Sequence, residues 1–182
     1  MNAGPRRWSA CLLAALLAAC NPQAPKGAPS PAGVPSHAPT SPPLHITGHG
    51  TATRPVRSTL QIHNRIEYQL IAKSFESKGA QGKARAVFAD ARVTFYDRNG
   101  TTLTATAPQA IVDETTNLIT LVDDVHAKTS SGMTLHCRRL VYDHTAGTLH
   151  GTGDVEIGDP NGFRGTGSSF DSDISLSHMR MQ

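Results

Sequence analysis

The feature that most constrains this fold is a repeat in the second half of the chain. When the sequence is shifted by 30 residues against itself, turn-forming and strand residues coincide. The matches are Asp113 with Asp143 and Asp173, Asp124 and Val125 with Asp154 and Val155, and Gly132 with Gly162. A unit of this length holds little more than a pair of strands and cannot enclose a core of its own, so neighbouring units must stack.

Alternation within the units indicates how each strand faces. Apolar and polar residues follow each other with the period of two that is typical of a half-buried strand. The apolar positions are Val87, Ala91, Val93 and Phe95 upstream, then Ile119, Leu121, Val125 and Ala127, then Leu149, Val155 and Ile157. The pattern predicts an all-β domain of about ten to twelve short antiparallel strands, made of stacked hairpins.

Because every strand has an apolar face, the apolar side of the sheet must be shielded from water. The sheet can fold over on itself as a sandwich or roll, or another molecule can occupy the groove. Several inward positions are small, which fits room for an apolar guest and equally fits a narrow roll; they are Ala91, Ala105, Ala127 and Gly151. The strands at the two ends lack a neighbour and are available to another chain.

Residues 1–19 are predicted to be a bacterial lipoprotein signal peptide. Arg6 and Arg7 precede an apolar run that is shorter than the roughly 20 residues a bilayer span requires. The run ends in "LAAC", which resembles a lipobox and predicts lipid attachment at Cys20. The alternative is an ordinary signal peptide in which Cys20 is incidental. Lipidation would leave Cys137 as the one thiol of the mature chain.

The next segment is predicted to be a tether. Residues 20–58 comprise the lipidated cysteine and a disordered stretch rich in Pro, Ala and Ser, and residues 59–182 form the folded domain. Eight of the 12 prolines fall in residues 21–43, a composition that cannot bury enough apolar surface to fold. Removal of the signal peptide would take away its two arginines and lower the formal charge from +3 to +1. A net charge this small gives no indication of a nucleic-acid partner.

The sequence does not predict an enzyme, a metal site or a cofactor. It contains no G-x-S-x-G elbow, no phosphate-binding loop and no H-E-x-x-H motif. The repeated aspartates are expected to cap turns rather than to form a ladder for Ca²⁺ or a sugar. Two groups of histidines, His45 with His49 and His136 with His144 and His150, are likewise not expected to bind metal.

With these features assembled, the segment from Tyr68 to Asp173 resembles the LptC family of lipopolysaccharide-transport proteins, whose units share the OstA-like pattern with LptA. The matching text is "YQLIAKSF", "VFADARVTFYDRNGTTLTATAPQAIVD", "LITLVDDVHAKTSSGMTLHCRRLVYD" and "GTLHGTGDVEIGDPNGFRGTGSSFD". The resemblance implies a twisted, open β-jellyroll, likened to a folded taco, in the periplasm of a diderm bacterium.

The resemblance also implies partners and a site. Members receive lipopolysaccharide from the inner-membrane transporter complex LptBFG and pass it to LptA-type bridge proteins, with acyl chains in an apolar groove and domains joined by edge-strand pairing. The lipid-facing candidates carried onto this chain, whose other possible role is core packing, are Val93, Phe95, Leu103, Ile119, Leu121, Val125, Leu135, Leu149 and Val155.

Two departures from the family pattern bear on the anchor and the C-terminus. Many members have an N-terminal transmembrane helix, whereas this chain offers Cys20 and a proline-rich tether. An inner-membrane lipid anchor is expected, with the outer membrane as the alternative because Asn21 is not the retention-type Asp. The text "ISLSHM" at 174–179 is predicted to be a terminal strand with a free edge that docks the next domain.

Two other classes of protein share these features. A structural or adhesive surface lipoprotein with β-solenoid-like repeats would have a filled interior and capped ends. A periplasmic glycan-binding or glycan-cleaving β-helix would display aromatic platforms on an outer face, but the outward positions here are mainly Thr, Asp, His and Lys.

Overall fold

A computed structural model of the chain describes residues 44–80 and 82–182. Within these residues all regular structure is β-strand, as the alternation predicts. The strands are β1 (Leu44–His49), β2 (Val56–Ile62), β3 (Arg65–Ala72), β4 (Ser74–Gly79), β5 (Arg85–Tyr96), β6 (Thr102–Asp113), β7 (Leu118–Thr129), β8 (Thr134–Asp143), β9 (Thr148–Gly158), β10 (Arg164–Asp173) and β11 (Arg180–Met181).

The 11 strands form one antiparallel sheet whose order follows the chain from β4 to β11. At the N-terminal side, β4 pairs with the first half of β5 and β3 pairs with its second half. β1 then adds to β4, and β2 adds to β3. The sheet begins at β1 and ends at β11 without closing, so the predicted open β-jellyroll is confirmed.

Every long strand bends near its middle, and the bends line up across the sheet as a single crease. On three strands the bend has left-handed backbone, at Asp90, Asp124 and Asp154. On the alternate strands β6, β8 and β10 the ladder skips Pro108, Arg138 and Ser168. Such bulges sharpen the local bend of a strand, and their alignment folds the whole sheet along one line.

The crease divides the sheet into two layers that face each other. Each long strand contributes one half to each layer. The first layer contains β2, β3 and residues 91–96, 102–107, 125–129, 134–137, 155–158 and 164–167. The second layer contains β1, β4, β11 and residues 85–89, 109–113, 118–122, 139–143, 148–152 and 169–173. The rings of Phe95 on β5 and Tyr142 on β8 lie 4.6 Å apart. In a flat sheet these strands would be about 14 Å apart, so the contact requires the fold.

The turn aspartates of the repeat do what the sequence predicts. Asp113, Asp143 and Asp173 are the last residues of β6, β8 and β10. The Asp113 carboxylate accepts hydrogen bonds from the backbone N–H groups of the second and third residues of the following turn, and Asp143 does the same. Equivalent residues therefore cap equivalent turns of successive hairpins.

The folded part begins earlier than predicted. β1 and the start of β2 lie within the segment predicted as tether, because Leu44 and Ile46 alternate with polar residues and extend the sheet beyond β4. The signal peptide, Cys20 and the proline-rich stretch up to residue 43 lie outside the described residues and stay predictions.

Two smaller predictions were wrong. Residues 174–179 form a turn rather than a strand, and the terminal strand is Arg180–Met181. Val87 faces outward with its partner Glu76, because the bend at Asp90 shifts the alternation between the two halves of β5.

Candidate functional site

The nine residues predicted to face lipid all lie in the interior between the two layers. None exposes more than 2% of its surface. Six belong to the first layer, Val93, Phe95, Leu103, Val125, Leu135 and Val155, and three to the second, Ile119, Leu121 and Leu149. The layers are closed on each other, so a guest molecule would reach these side chains only by separating them.

One inward row runs through the second layer from edge to edge. Its members are cross-strand partners, each directly opposite the next: Gly48, Phe75, Phe88, Ala110, Leu121, Leu140, Gly151, Phe170 and Met181. Because the row crosses every strand of this layer, the interior is apolar along the whole length of the sheet.

Beside two glycines of that row, the space that a side chain would occupy is filled by the ring of a neighbouring phenylalanine. A Cβ atom on Gly151 would lie 2.5 Å from Cδ1 of Phe170 and closer still to Cε1. A Cβ atom on Gly48 would meet the ring of Phe75 in the same way. The small residue at Gly151 therefore makes room for Phe170 and not for a guest, while Ala91, Ala105 and Ala127 are also buried.

Two ionisable side chains of the interior, those of Tyr142 and Cys137, are held neutral. Burial raises the pKa of the Tyr142 hydroxyl to about 12, and the nearby carboxylates of Glu67, Asp97 and Asp143 act in the same direction. Burial likewise raises the pKa of the Cys137 thiol to about 11. Both groups are therefore uncharged at neutral pH, whereas the buried Glu67 carboxylate is paired with the Arg65 guanidinium.

The apolar face is uncovered at the β1 end of the sheet. A second inward row runs through Ile46, Ser77, Ala86, Val112 and Ile119. Exposure falls along it, from 45% at Ile46 to 1% at Ile119, with partly buried residues between. Leu44, on the same face of β1, is 62% exposed. This graded row connects the surface with the closed interior.

Sequence reasoning missed this opening because it assigned Leu44 and Ile46 to the tether. A signal was present: "LHIT" alternates like the later strands. Four alternating residues are a short pattern, and the proline-rich composition of the preceding residues led to the assignment of this stretch to the tether.

Both ends of the sheet present strand edges. β1 and β2 form the N-terminal edge. The C-terminal edge has two parts. β11 pairs with Phe170 and Asp171 in the second half of β10. Along the first half of β10, from Arg164, no strand of the described residues pairs on the side opposite β9. Exposed edges of this kind accept strands from other chains.

The outer face of the first layer is polar. A concave surface there is lined mainly by Thr, His, Lys, Arg and Glu side chains, among them Thr104, Lys128, Glu156 and Arg164. The half-exposed ring of Phe163 also lies on this surface, but the buried side chains of the interior form the more extensive apolar region of the domain.

Comparison with protein families gives the relationship. A family model described as "Lipopolysaccharide-assembly, LptC-related" matches residues 13–181. This chain belongs to the LptC family. Among curated proteins, none matches the chain at a significant level. The resemblance seen from Tyr68 to Asp173 is confirmed over a longer stretch.

LptC membership gives the chain a role in lipopolysaccharide transport, within the cell envelope. The family's known role is that of a transport component. In the part of the chain that the structure describes, no helix is long and apolar enough to cross a bilayer.

Proposed function

We propose that this LptC-family domain carries lipopolysaccharide through the periplasm with the acyl chains between its two layers and the saccharide outside. It receives the lipid from the inner-membrane complex LptBFG and passes it to an LptA-like bridge protein. The domain performs no catalysis, and the energy comes from the ATPase partner. The observation that carries the proposal is the graded inward row, apolar except for Ser77, that leads from exposed Ile46 to buried Ile119.

The energetics favour exchange rather than trapping. Burying an acyl chain of about ten methylenes gains about 8 kcal/mol. Separating the layers around one such chain costs a comparable amount if about three to five Leu or Phe side chains are uncovered, because each loses about 1.5–3 kcal/mol. A guest that replaces layer-to-layer contacts with its own contacts is therefore held weakly enough to be released, as a carrier requires.

The two sheet edges supply two docking positions. We assign the C-terminal edge, formed by β10 and β11, to the LptA-like bridge, and the N-terminal edge, formed by β1 and β2, to the transporter side. Pairing at these edges would align the interior of one domain with that of the next. The opening at Leu44 and Ile46 lies on the receiving edge in this arrangement.

The predicted anchor complements this arrangement. A lipid on Cys20 and an extended tether of 23 residues, at about 3.1 Å per residue, reach about 70 Å. The domain would then reach well beyond its membrane, which we propose to be the inner one, with the outer membrane as the alternative.

Photocrosslinking in cells tests the proposal. Benzoyl-phenylalanine at Ile46 is expected to form lipopolysaccharide adducts, whereas the probe at Thr47, its exposed neighbour on the other face of β1, is not. A second pair, Val155 inside and Glu156 outside, tests the interior. If neither inward site gives an adduct in a folded and exported protein, the interior is a closed core and the structural lipoprotein becomes the better description.

A further inference from the structure

A cluster of three potential metal ligands lies on the outer face of the first layer, away from the apolar interior. It consists of Asp124, His126 and His136, on the neighbouring strands β7 and β8. All three side chains are at least partly exposed to solvent. The lipid-carrying function described above does not use them.

The backbone places these side chains together. His126 and His136 are directly opposite each other in the β7–β8 register. Asp123 and Asp124 form the bulge on β7, with φ of 66° and 58°, and together they oppose the single residue Arg138. The bulge turns Asp124 to the outer side, next to the histidine pair.

The geometry is convergent. The two imidazole rings are stacked, with centroids 4.4 Å apart and planes inclined by 13°. The Asp124 Oδ1 atom is 2.8 Å from Nε2 of His136 and 3.2 Å from Nε2 of His126. The ligand atoms of all three groups lie within 4.8 Å of one another. Both histidines therefore direct the same nitrogen to one point beside a carboxylate.

This donor set selects a class of cation. Two imidazoles and one carboxylate suit Zn²⁺ and similar divalent transition metals, which bind such ligands at about 2.0–2.2 Å. Three protein ligands leave the fourth tetrahedral position to water or to Glu156, which is opposite His136 on β9. Arg92 and Lys128 line the same surface, so selection comes from the ligand set and not from a general negative potential.

We propose that Asp124, His126 and His136 form a binding site for one zinc-class divalent cation, which clips β7 to β8 beside the crease. Crosslinking two strands at their bulge would stiffen the bend that holds the two layers together. The site stands on this geometry alone and does not depend on the proposed lipid path.

Metal titration of the full chain tests the proposal. The purified protein is stripped with a chelator and titrated with Zn²⁺ by calorimetry and with Co²⁺ by visible absorption. One ion per chain is expected, with the d–d bands of a tetrahedral nitrogen and oxygen site. Because loss of an outer-shell partner alone costs about 10–100-fold in metal affinity, the double variant His126→Asn with His136→Asn should bind more than about 100-fold more weakly.

A matched control is available on the same sheet. His150 forms an exposed pair with Asp171, 2.7 Å apart, outside the cluster. The variant His150→Asn should bind Zn²⁺ as the wild type does, and the metal-free melting temperature of every variant should equal that of the wild type. Equal binding by the double variant, or no saturable binding below about 1 mM, would overturn the proposal.

Discussion

Replacing Gly151 with alanine tests whether the interior is as tightly filled as the structure shows. Gly151 has an ordinary extended backbone, so the loss of glycine's conformational freedom alone would stabilise the strand by about 0.5–1 kcal/mol. The new methyl group, however, would lie 2.5 Å from Cδ1 of Phe170, whose side chain is fully buried. Overpacking of this kind costs about 1–3 kcal/mol.

The steric term is the larger one, so we expect Gly151→Ala to lower the free energy of unfolding by about 1–2 kcal/mol. With a slope of about 2 kcal/mol per M, the midpoint of urea denaturation should fall by about 0.5–1 M. Tryptophan fluorescence is not suitable because the one Trp is at position 8, so circular dichroism is the readout.

The control is Gly165→Ala on the neighbouring strand. A Cβ atom there would lie 3.4 Å from its nearest neighbours, an ordinary contact, so stability should be unchanged or slightly higher. Phe170→Leu replaces the ring with a smaller side chain. In that background Gly151→Ala should lower the free energy of unfolding by less than it does in the wild type, so the two substitutions should show a favourable coupling energy. Equal stability of the two alanine variants, or additive effects in the double variant, would refute the claim of a filled interior.

Three further predictions concern charge, the buried thiol and the opening. Partial burial raises the pKa of Asp173, but hydrogen bonds from nearby serines and His178 outweigh it and lower that pKa to about 2. Since the folded pKa is depressed, the stabilisation is complete above about pH 4 and is lost as the pH falls towards about 2. Asp173→Asn should therefore cost about 1 kcal/mol at pH 7, an amount limited by solvent screening, and the difference from wild type should vanish in acid denaturation near pH 2. Cys137, with its raised pKa and full burial, should react with a thiol reagent only after unfolding, in a chain whose other two cysteines are replaced by serine; rapid labelling of the folded chain would contradict its burial. Ile46→Asp should change stability by no more than about 0.5 kcal/mol, because the residue is 45% exposed and lies on the edge strand, yet should reduce lipopolysaccharide adducts at Val155; unchanged adducts would exclude the β1 opening as the route.

Much of the fold followed from local pattern. The alternation around Leu121 and Val155 placed both inside because the period of a strand is set by its own backbone. The turn aspartates were recognised because an Asp side chain caps the backbone next to it in sequence.

What sequence reasoning missed depends on distant neighbours. Val87 was assigned to the wrong face because the left-handed residue Asp90 shifts the phase, and nothing in the local alternation marks that shift. The approach of His136 to His126 and Asp124 depends on the register between β7 and β8 and on the bulge that turns Asp124 outward. His136 had been grouped with His144 and His150, which the register does not bring to this cluster, and His126 had been in neither group.

The strand order also bears on how the chain folds. From β4 to β11 each strand pairs with the one made just before it, so these pairings join neighbouring segments of the chain and none of them joins distant segments. This strand order lowers the contact order relative to a sheet with crossovers and favours folding in which one hairpin templates the next. Because every hairpin crosses the crease, each step lengthens both layers at once by about 4.8 Å per strand. A partner strand that pairs with β1 or β11 would therefore extend the sheet in the same way as each strand added during folding, starting from a free edge.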